Sequence, residues 1–219
     1  MKFLIGIIVL AIPGIFIIKL AVEFIKWISD NSFSEICRAV CMVIDSFNSW
    51  VGRCVSWATF LVVLVVFTDV VMRYAFKTSY VFIQEMEWHL FSFIFLMGAG
   101  YTLLKDGHVR VDIIYQRLGA KPRAWINLVG VIFFLIPGCY LIVATSDKFV
   151  YNAWSVLEGS PDPGGIPYRY LVKACIPAGF VLLLLQGISL GIRSFLTIIG
   201  KEADPAHDAC TAKHIGEEN

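Results

Sequence analysis

Long apolar stretches separated by short polar connections dominate the chain. Four of them approach or exceed 20 residues, the length of helix that crosses a hydrocarbon core of roughly 30 Å. They cover residues 54–72, 82–104, 124–146 and 174–192. We therefore predict an all-α integral membrane protein, built as a four-transmembrane-helix bundle with an N-terminal hydrophobic and amphipathic helical extension.

The N-terminal extension begins with a further uncharged stretch, residues 3–18, which is short for a span and carries Pro13 and Gly14 at its middle. It could span the membrane, kink or lie re-entrant. Lys2 before an apolar run also resembles a signal peptide, but charged residues, beginning with Lys19, follow in place of a small-residue cleavage site. We favour an uncleaved anchor.

Residues 23–50 mix apolar and charged positions at helical spacing, which predicts an amphipathic helix at the membrane interface. The predicted organisation is then an anchor and amphipathic helix over residues 1–50, a four-helix membrane domain over 51–199, and a disordered cytoplasmic tail over 200–219.

The composition agrees with a membrane protein and excludes several functions. Mean hydropathy is +0.75, and only 16% of residues are charged. The net charge of +1 comes without a clustered basic face, which argues against nucleic acid as a partner. None of the six cysteines forms a C-x-x-C pair, so we expect no disulfide framework. His207, Cys210 and His214 in the tail lack a fourth ligand, and we expect no metal site.

The distribution of Lys and Arg predicts the orientation, since cytoplasmic loops carry the excess of positive charge. Residues 105–123 form the densest basic connection, and further basic residues precede the first firm span. Both segments should be cytoplasmic, as should the C-terminal tail. The connections at residues 73–81 and 147–170 then face the other side.

A small group of ionisable residues interrupts the first two spans near their outer ends. Asp69 and Arg73 are four residues apart, so they share a helix face and can pair. Glu85 and Glu87 open the next helix at the same level, and His89 lies one turn deeper than Glu85. The group could be a proton or ion relay, or a structural clasp that fixes two helices or docks another subunit. We favour the clasp, because no ionisable residue continues the path within the span.

The segment after the second span carries His108, Arg110 and Asp112 in an alternating pattern. A strand there would leave an unpaired edge at the membrane, so we predict a short surface helix whose polar stripe contacts a partner or lipid headgroups. On the other side, residues 158–167 are dense in turn formers. They could touch an external partner or act as a simple connector.

Together these residues resemble a known family, the DctQ-type small membrane subunit of tripartite ATP-independent periplasmic (TRAP) transporters. The resemblance covers roughly residues 51–199, and the residues that carry it are Asp69-Val70, Arg73-Tyr74-Ala75-Phe76, Glu85, Gly98-Ala99 and Gly107-His108-Val109-Arg110-Val111-Asp112. Residues 1–50 depart from the usual pattern.

The resemblance implies that this chain is not an enzyme and binds no cofactor. It implies an immobile scaffold for a large TRAP membrane permease subunit, which takes up an organic acid, coupled to a cation such as sodium, after delivery by a periplasmic substrate-binding protein. The residues agree, because the spans lack the paired polar interruptions of a transporter core.

Two other classes remain open on the residues alone. A haem- or quinone-associated membrane anchor of a redox enzyme has similar size and hydropathy, but haem needs two facing axial ligands and His89 is the only histidine within a predicted span. A self-assembling channel would repeat polar residues along a pore-lining face, and these spans offer few.

Overall fold

The computed structural model describes residues 33–107 and 118–200. The chain divides into two compact units, Met1–Val40 and Cys41–Asn219. All regular elements in the described ranges are helices, which confirms the all-α class. They are α1 (Phe33–Tyr74), α2 (Val81–Leu104), α3 (Ala120–Ser155) and α4 (Arg169–Ile199).

Three of the described helices, α1, α3 and α4, are long and apolar enough to cross a membrane. α2 has 24 residues, enough to cross roughly 30 Å of hydrocarbon. Its first turns, however, carry Gln84, Glu85, Glu87 and His89, and this polar start lowers its hydropathy. The fourth span therefore stays a prediction.

α1 extends well beyond the apolar run that predicted it. It continues without interruption for 42 residues, so the first predicted span and the described part of the predicted amphipathic segment, residues 33–50, form one helix. The composition changes near Trp50, but no proline or turn breaks the backbone there. A change from mixed to apolar composition indicates that the helix passes from the membrane surface into the hydrocarbon core. A single helix can continue through both.

α3 and α4 are also longer than their predicted spans, because polar residues at both ends continue the helices. In α3 the segments Ala120–Gly130 and Ile136–Ser155 are joined by a π-helical turn, Val131–Leu135. Pro137 lies two residues after the end of this turn. Its ring and its missing N–H prevent the regular i→i−4 hydrogen bond, which explains why the helix widens there.

α4 is the most buried of the three spanning helices and packs against both α2 and α3. Glycines allow the close approach. A Cβ on Gly179 would lie 2.4 Å from the backbone oxygen of Leu96 in α2, and one on Gly187 would lie 2.3 Å from the side chain of Leu135. Small residues at helix contacts are the usual means of packing helices in membranes.

Candidate functional site

The C-terminal end of α1 and the N-terminal end of α2 carry an acidic pair with one guanidinium. Asp69 is only 3% exposed, and Arg73 one turn later donates a hydrogen bond to its Oδ2, the pairing that the i, i+4 spacing predicts. The other oxygen, Oδ1, is buried and has no hydrogen-bond partner among the described residues. Glu87 lies within electrostatic range of both Asp69 and Arg73.

Glu85 does not join this group. Its Oε1 accepts a hydrogen bond of 2.5 Å from the Ser160 hydroxyl, and its Oε2 accepts one of 2.5 Å from the backbone N–H of Ile166. Successive helical residues turn by about 100°, so Glu85 and Glu87 point in nearly opposite directions. Of the three- or four-charge cluster that the sequence suggested, the structure brings together Asp69, Arg73 and Glu87, while Glu85 anchors the loop between α3 and α4.

That loop, residues 158–167, is held at further points. The Lys173 ammonium lies 2.5 Å from the Glu158 carboxylate, and the backbone N–H of Arg169 donates to the Glu158 carbonyl at 2.9 Å. A Cβ on Gly165 would lie 2.6 Å from the carboxylate of Glu85, so the chain passes too close for any larger residue. The loop therefore has a defined shape, and polar contacts hold it to both α2 and α4.

His89 is buried beside the same anchor. Its Nδ1 lies 2.6 Å from the carbonyl oxygen of Glu85, one turn earlier in α2. Since a carbonyl can only accept, Nδ1 carries a proton and donates it, which leaves Nε2 as the other ring nitrogen. That Nε2 has no partner within the described ranges. His89 therefore supports the start of α2 and shares no hydrogen bond with Asp69 or Glu87 in the structure.

A second polar network, which the sequence reasoning missed, joins α1 to α4 at the opposite end of the helices. Asp45 accepts hydrogen bonds from Gln186 at 2.8 Å and Ser189 at 2.9 Å, and forms a salt bridge of 2.5 Å with Arg193. Asn48 donates to Gln186 at 2.9 Å. We call these five residues the inner clamp. One feature of the sequence does point to it. Gln186, Ser189 and Arg193 are three and four residues apart, which places these polar side chains on one face of α4.

The remaining predicted site residues lie in the parts of the chain that the structure does not describe. His108, Arg110 and Asp112 lie outside the described residues, as do the anchor at residues 3–18 and the tail histidines. Among residues 33–107 and 118–200, no group of three or more His, Cys, Asp or Glu is placed to hold a metal ion. No disulfide joins the five cysteines at positions 37, 41, 54, 139 and 175, which the structure describes.

Comparison with known proteins gives consistent matches. Residues 62–197 match the family described as "Tripartite ATP-independent periplasmic transporters, DctQ component". The chain is 28% identical over 131 residues to a "Putative TRAP transporter small permease protein" of Haemophilus influenzae, covering 59% of this chain and 80% of the relative. It is 23% identical over 175 residues to the "C4-dicarboxylate TRAP transporter small permease protein DctQ" of Vibrio cholerae, covering 71% and 72%. No solved structure matches the chain.

Proposed function

Because this chain belongs to the DctQ component family of tripartite ATP-independent periplasmic transporters, we propose that it is a small membrane subunit that scaffolds a large permease subunit. The complex takes up an organic acid in symport with a cation, which we infer to be sodium, and a periplasmic substrate-binding protein delivers the acid. This chain supplies the static part and carries no substrate itself.

The observation that best supports a static role is that the helices are tied at both ends. The inner clamp joins α1 to α4, and at the other end Glu85 of α2 holds the loop that leads into α4. About 30 Å of α4 separates Arg169, where the helix leaves the loop, from Ser189 of the inner clamp at 1.5 Å per residue, so these ties lie near opposite faces of a ~30 Å hydrocarbon core. Polar ties at both surfaces oppose the sliding or opening of helices that transport requires.

The described helices also lack the usual form of a carrier site. Such sites are built from discontinuous helices whose unwound backbone binds substrate and ions near mid-membrane. Within residues 33–107 and 118–200, helices α1, α2 and α4 are uninterrupted. α3 is interrupted only by its π-helical turn. This supports a scaffold rather than a carrier, and it gives no support to an enzymatic role.

We place the protein in the bacterial inner membrane with residues 105–123 and the C-terminus in the cytoplasm. The distribution of basic residues supports this orientation. The loop at residues 158–167 then faces the periplasm, where the binding protein acts, and lipids cover the outward apolar surfaces. The Vibrio cholerae relative is named for C4-dicarboxylates, which supports an organic acid as the substrate class.

Uptake by membrane vesicles tests this function. Vesicles would contain the large subunit, this chain, or both, with the cognate periplasmic binding protein outside and a panel of labelled C4-dicarboxylates and other organic acids. We expect sodium-gradient-driven uptake with both subunits and none with this chain alone. Uptake by this chain alone would contradict the scaffold role, and gradient-independent uptake by the complex would contradict sodium coupling.

A further inference from the structure

Glu87 presents a carboxylate oxygen that finds no hydrogen-bond partner in the part of the chain that the structure describes. Its Oε1 is buried and has no partner among the described residues, and the side chain as a whole is half-buried. Arg73 is the nearby cation, but its guanidinium donates to Asp69. Two carboxylates thus face one guanidinium, which leaves an excess negative charge at the outer end of a membrane helix. Such a charge is costly unless a cation meets it.

An exposed aromatic stripe continues from Glu87 along α2. Phe91 and Phe95 follow one and two turns later on the same helix face, and they are 65% and 70% exposed. The stripe therefore combines one unsatisfied acidic group with a broad apolar surface. Lipid could cover the two aromatic rings, but the acyl chains of lipid offer no donor to the carboxylate.

Beside Phe95 an open groove of about 400 Å³ lies between α1 and α2. Small side chains or glycines line much of it, namely Gly52, Ser56, Thr59, Gly98, Ala99 and Thr102. The three hydroxyls among them donate to the carbonyl one turn earlier in their own helices. The groove therefore presents satisfied polar groups and little side-chain bulk, the surface on which another helix can pack closely.

We propose that this face of α1 and α2, from Glu87 to the groove, is the docking surface for a transmembrane helix of the large subunit. This rests on the scaffold function proposed above. The partner helix carries an Arg or Lys near its periplasmic end, which pairs with Glu87, and packs its apolar side against Phe95 and the groove. Glu87 and Gly98 are about 16 Å apart along α2, so the basic residue lies about three turns from the part that fills the groove.

Paired substitutions test the surface in complexes purified in mild detergent after co-expression with the large subunit. Glu87→Gln removes the charge and keeps the shape, and Asp147→Asn changes an exposed acidic residue of α3 as its control. Gly98→Leu fills the groove, since an added Cβ there meets only Val55 at 3.6 Å. Gly138→Leu adds the same bulk to α3, where nothing lies within 4 Å.

We expect Glu87→Gln and Gly98→Leu each to reduce recovery of the large subunit by about tenfold or more, and both controls to leave it unchanged. Full recovery with both test variants would overturn the docking surface while leaving the scaffold function intact. Failure of the unsubstituted chain to recover a large subunit would instead overturn the function itself.

Photo-crosslinking settles the result even where a variant folds poorly. The crosslinking residue p-benzoylphenylalanine would replace Phe95, or Phe133 of α3 as a control, and these rings are similarly exposed at 70% and 68%. We expect position 95 to crosslink the large subunit and position 133 to crosslink it at least about tenfold less. Crosslinks from position 95 only to lipid or to a second copy of this chain would overturn the proposal.

Discussion

Glu85 and Ser160 are 75 positions apart in the sequence, yet the Ser160 hydroxyl donates a 2.5 Å hydrogen bond to the Glu85 carboxylate. The same carboxylate accepts from the backbone N–H of Ile166. One side chain from the first turns of α2 thereby fixes the outer loop between α3 and α4. The shape of this loop depends on a residue that belongs to neither of the helices it connects.

Loss of this anchor should release the loop. In Glu85→Ala the Ser160 hydroxyl and the Ile166 N–H, both half-buried, lose the carboxylate that accepts their hydrogen bonds. We expect faster cleavage within residues 158–167 by a protease added to the outer side, and weaker assembly with the large subunit. Binding of the organic acid by the isolated periplasmic protein should be unchanged. An uncut loop together with normal assembly would show that Glu85 neither holds the loop nor supports assembly.

Arg73→Ala should destabilise the C-terminal end of α1, because the buried Asp69 carboxylate loses the guanidinium that donates to its Oδ2, while its Oδ1 has no partner among the described residues. Arg73 is about half exposed, so solvent screening limits the loss to about 1–2 kcal/mol. A lower melting temperature in detergent and reduced uptake are expected. Adding Asp69→Asn to Arg73→Ala should recover much of the stability, and a double variant no more stable than Arg73→Ala would refute the pairing.

The inner clamp should respond differently to the loss of one charge and of both. Arg193→Met leaves Asp45 facing two hydrogen-bond donors but no cation, and we expect a loss of about 2–4 kcal/mol. The double variant Asp45→Leu with Arg193→Met removes both charges and should be nearer to the unsubstituted chain. Thermal unfolding monitored by helical circular dichroism compares the double variant with each single variant, Arg193→Met and Asp45→Leu. A double variant that loses the sum of the two single losses would show that the residues do not interact.

Gly179 should not tolerate a side chain. A Cβ there would lie 2.4 Å from the Leu96 carbonyl oxygen, so Gly179→Ala must push α2 and α4 apart at a cost of about 1–3 kcal/mol. Gly138→Ala, where the added methyl meets nothing within 4 Å, serves as the control and should be neutral or slightly stabilising. The two melting temperatures in the same detergent make the comparison. Equal values would contradict the close packing of α2 on α4.

The helical class, and the pairing of Asp69 with Arg73, could be predicted because both follow from local spacing. Apolar runs locate helices that cross a membrane, and residues four apart on a helix must share a face. The same local rules failed for the extent of α1, since its polar and apolar parts look like separate elements in the sequence. They are one helix in the structure because nothing between them ends it.

Long-range partners could not be predicted in this way. Turn formers mark residues 158–167 as a loop but say nothing about which helix holds it, so the contact of Glu85 with Ser160 was invisible. The inner clamp was missed for a related reason. Asp45 lies in a segment whose mixed composition indicates a membrane surface, and no local rule connects it with Arg193, 148 positions later.

We propose that this chain forms a stable complex with a large permease subunit, and this complex is the first thing to test. The most direct measurement is affinity purification of the tagged chain from its native membrane in mild detergent, with mass spectrometry of the proteins that accompany it. We expect recovery of a much larger multispanning membrane protein, with or without a periplasmic substrate-binding protein. Recovery of flavin or iron–sulfur subunits in its place would contradict the account and indicate a redox-enzyme anchor.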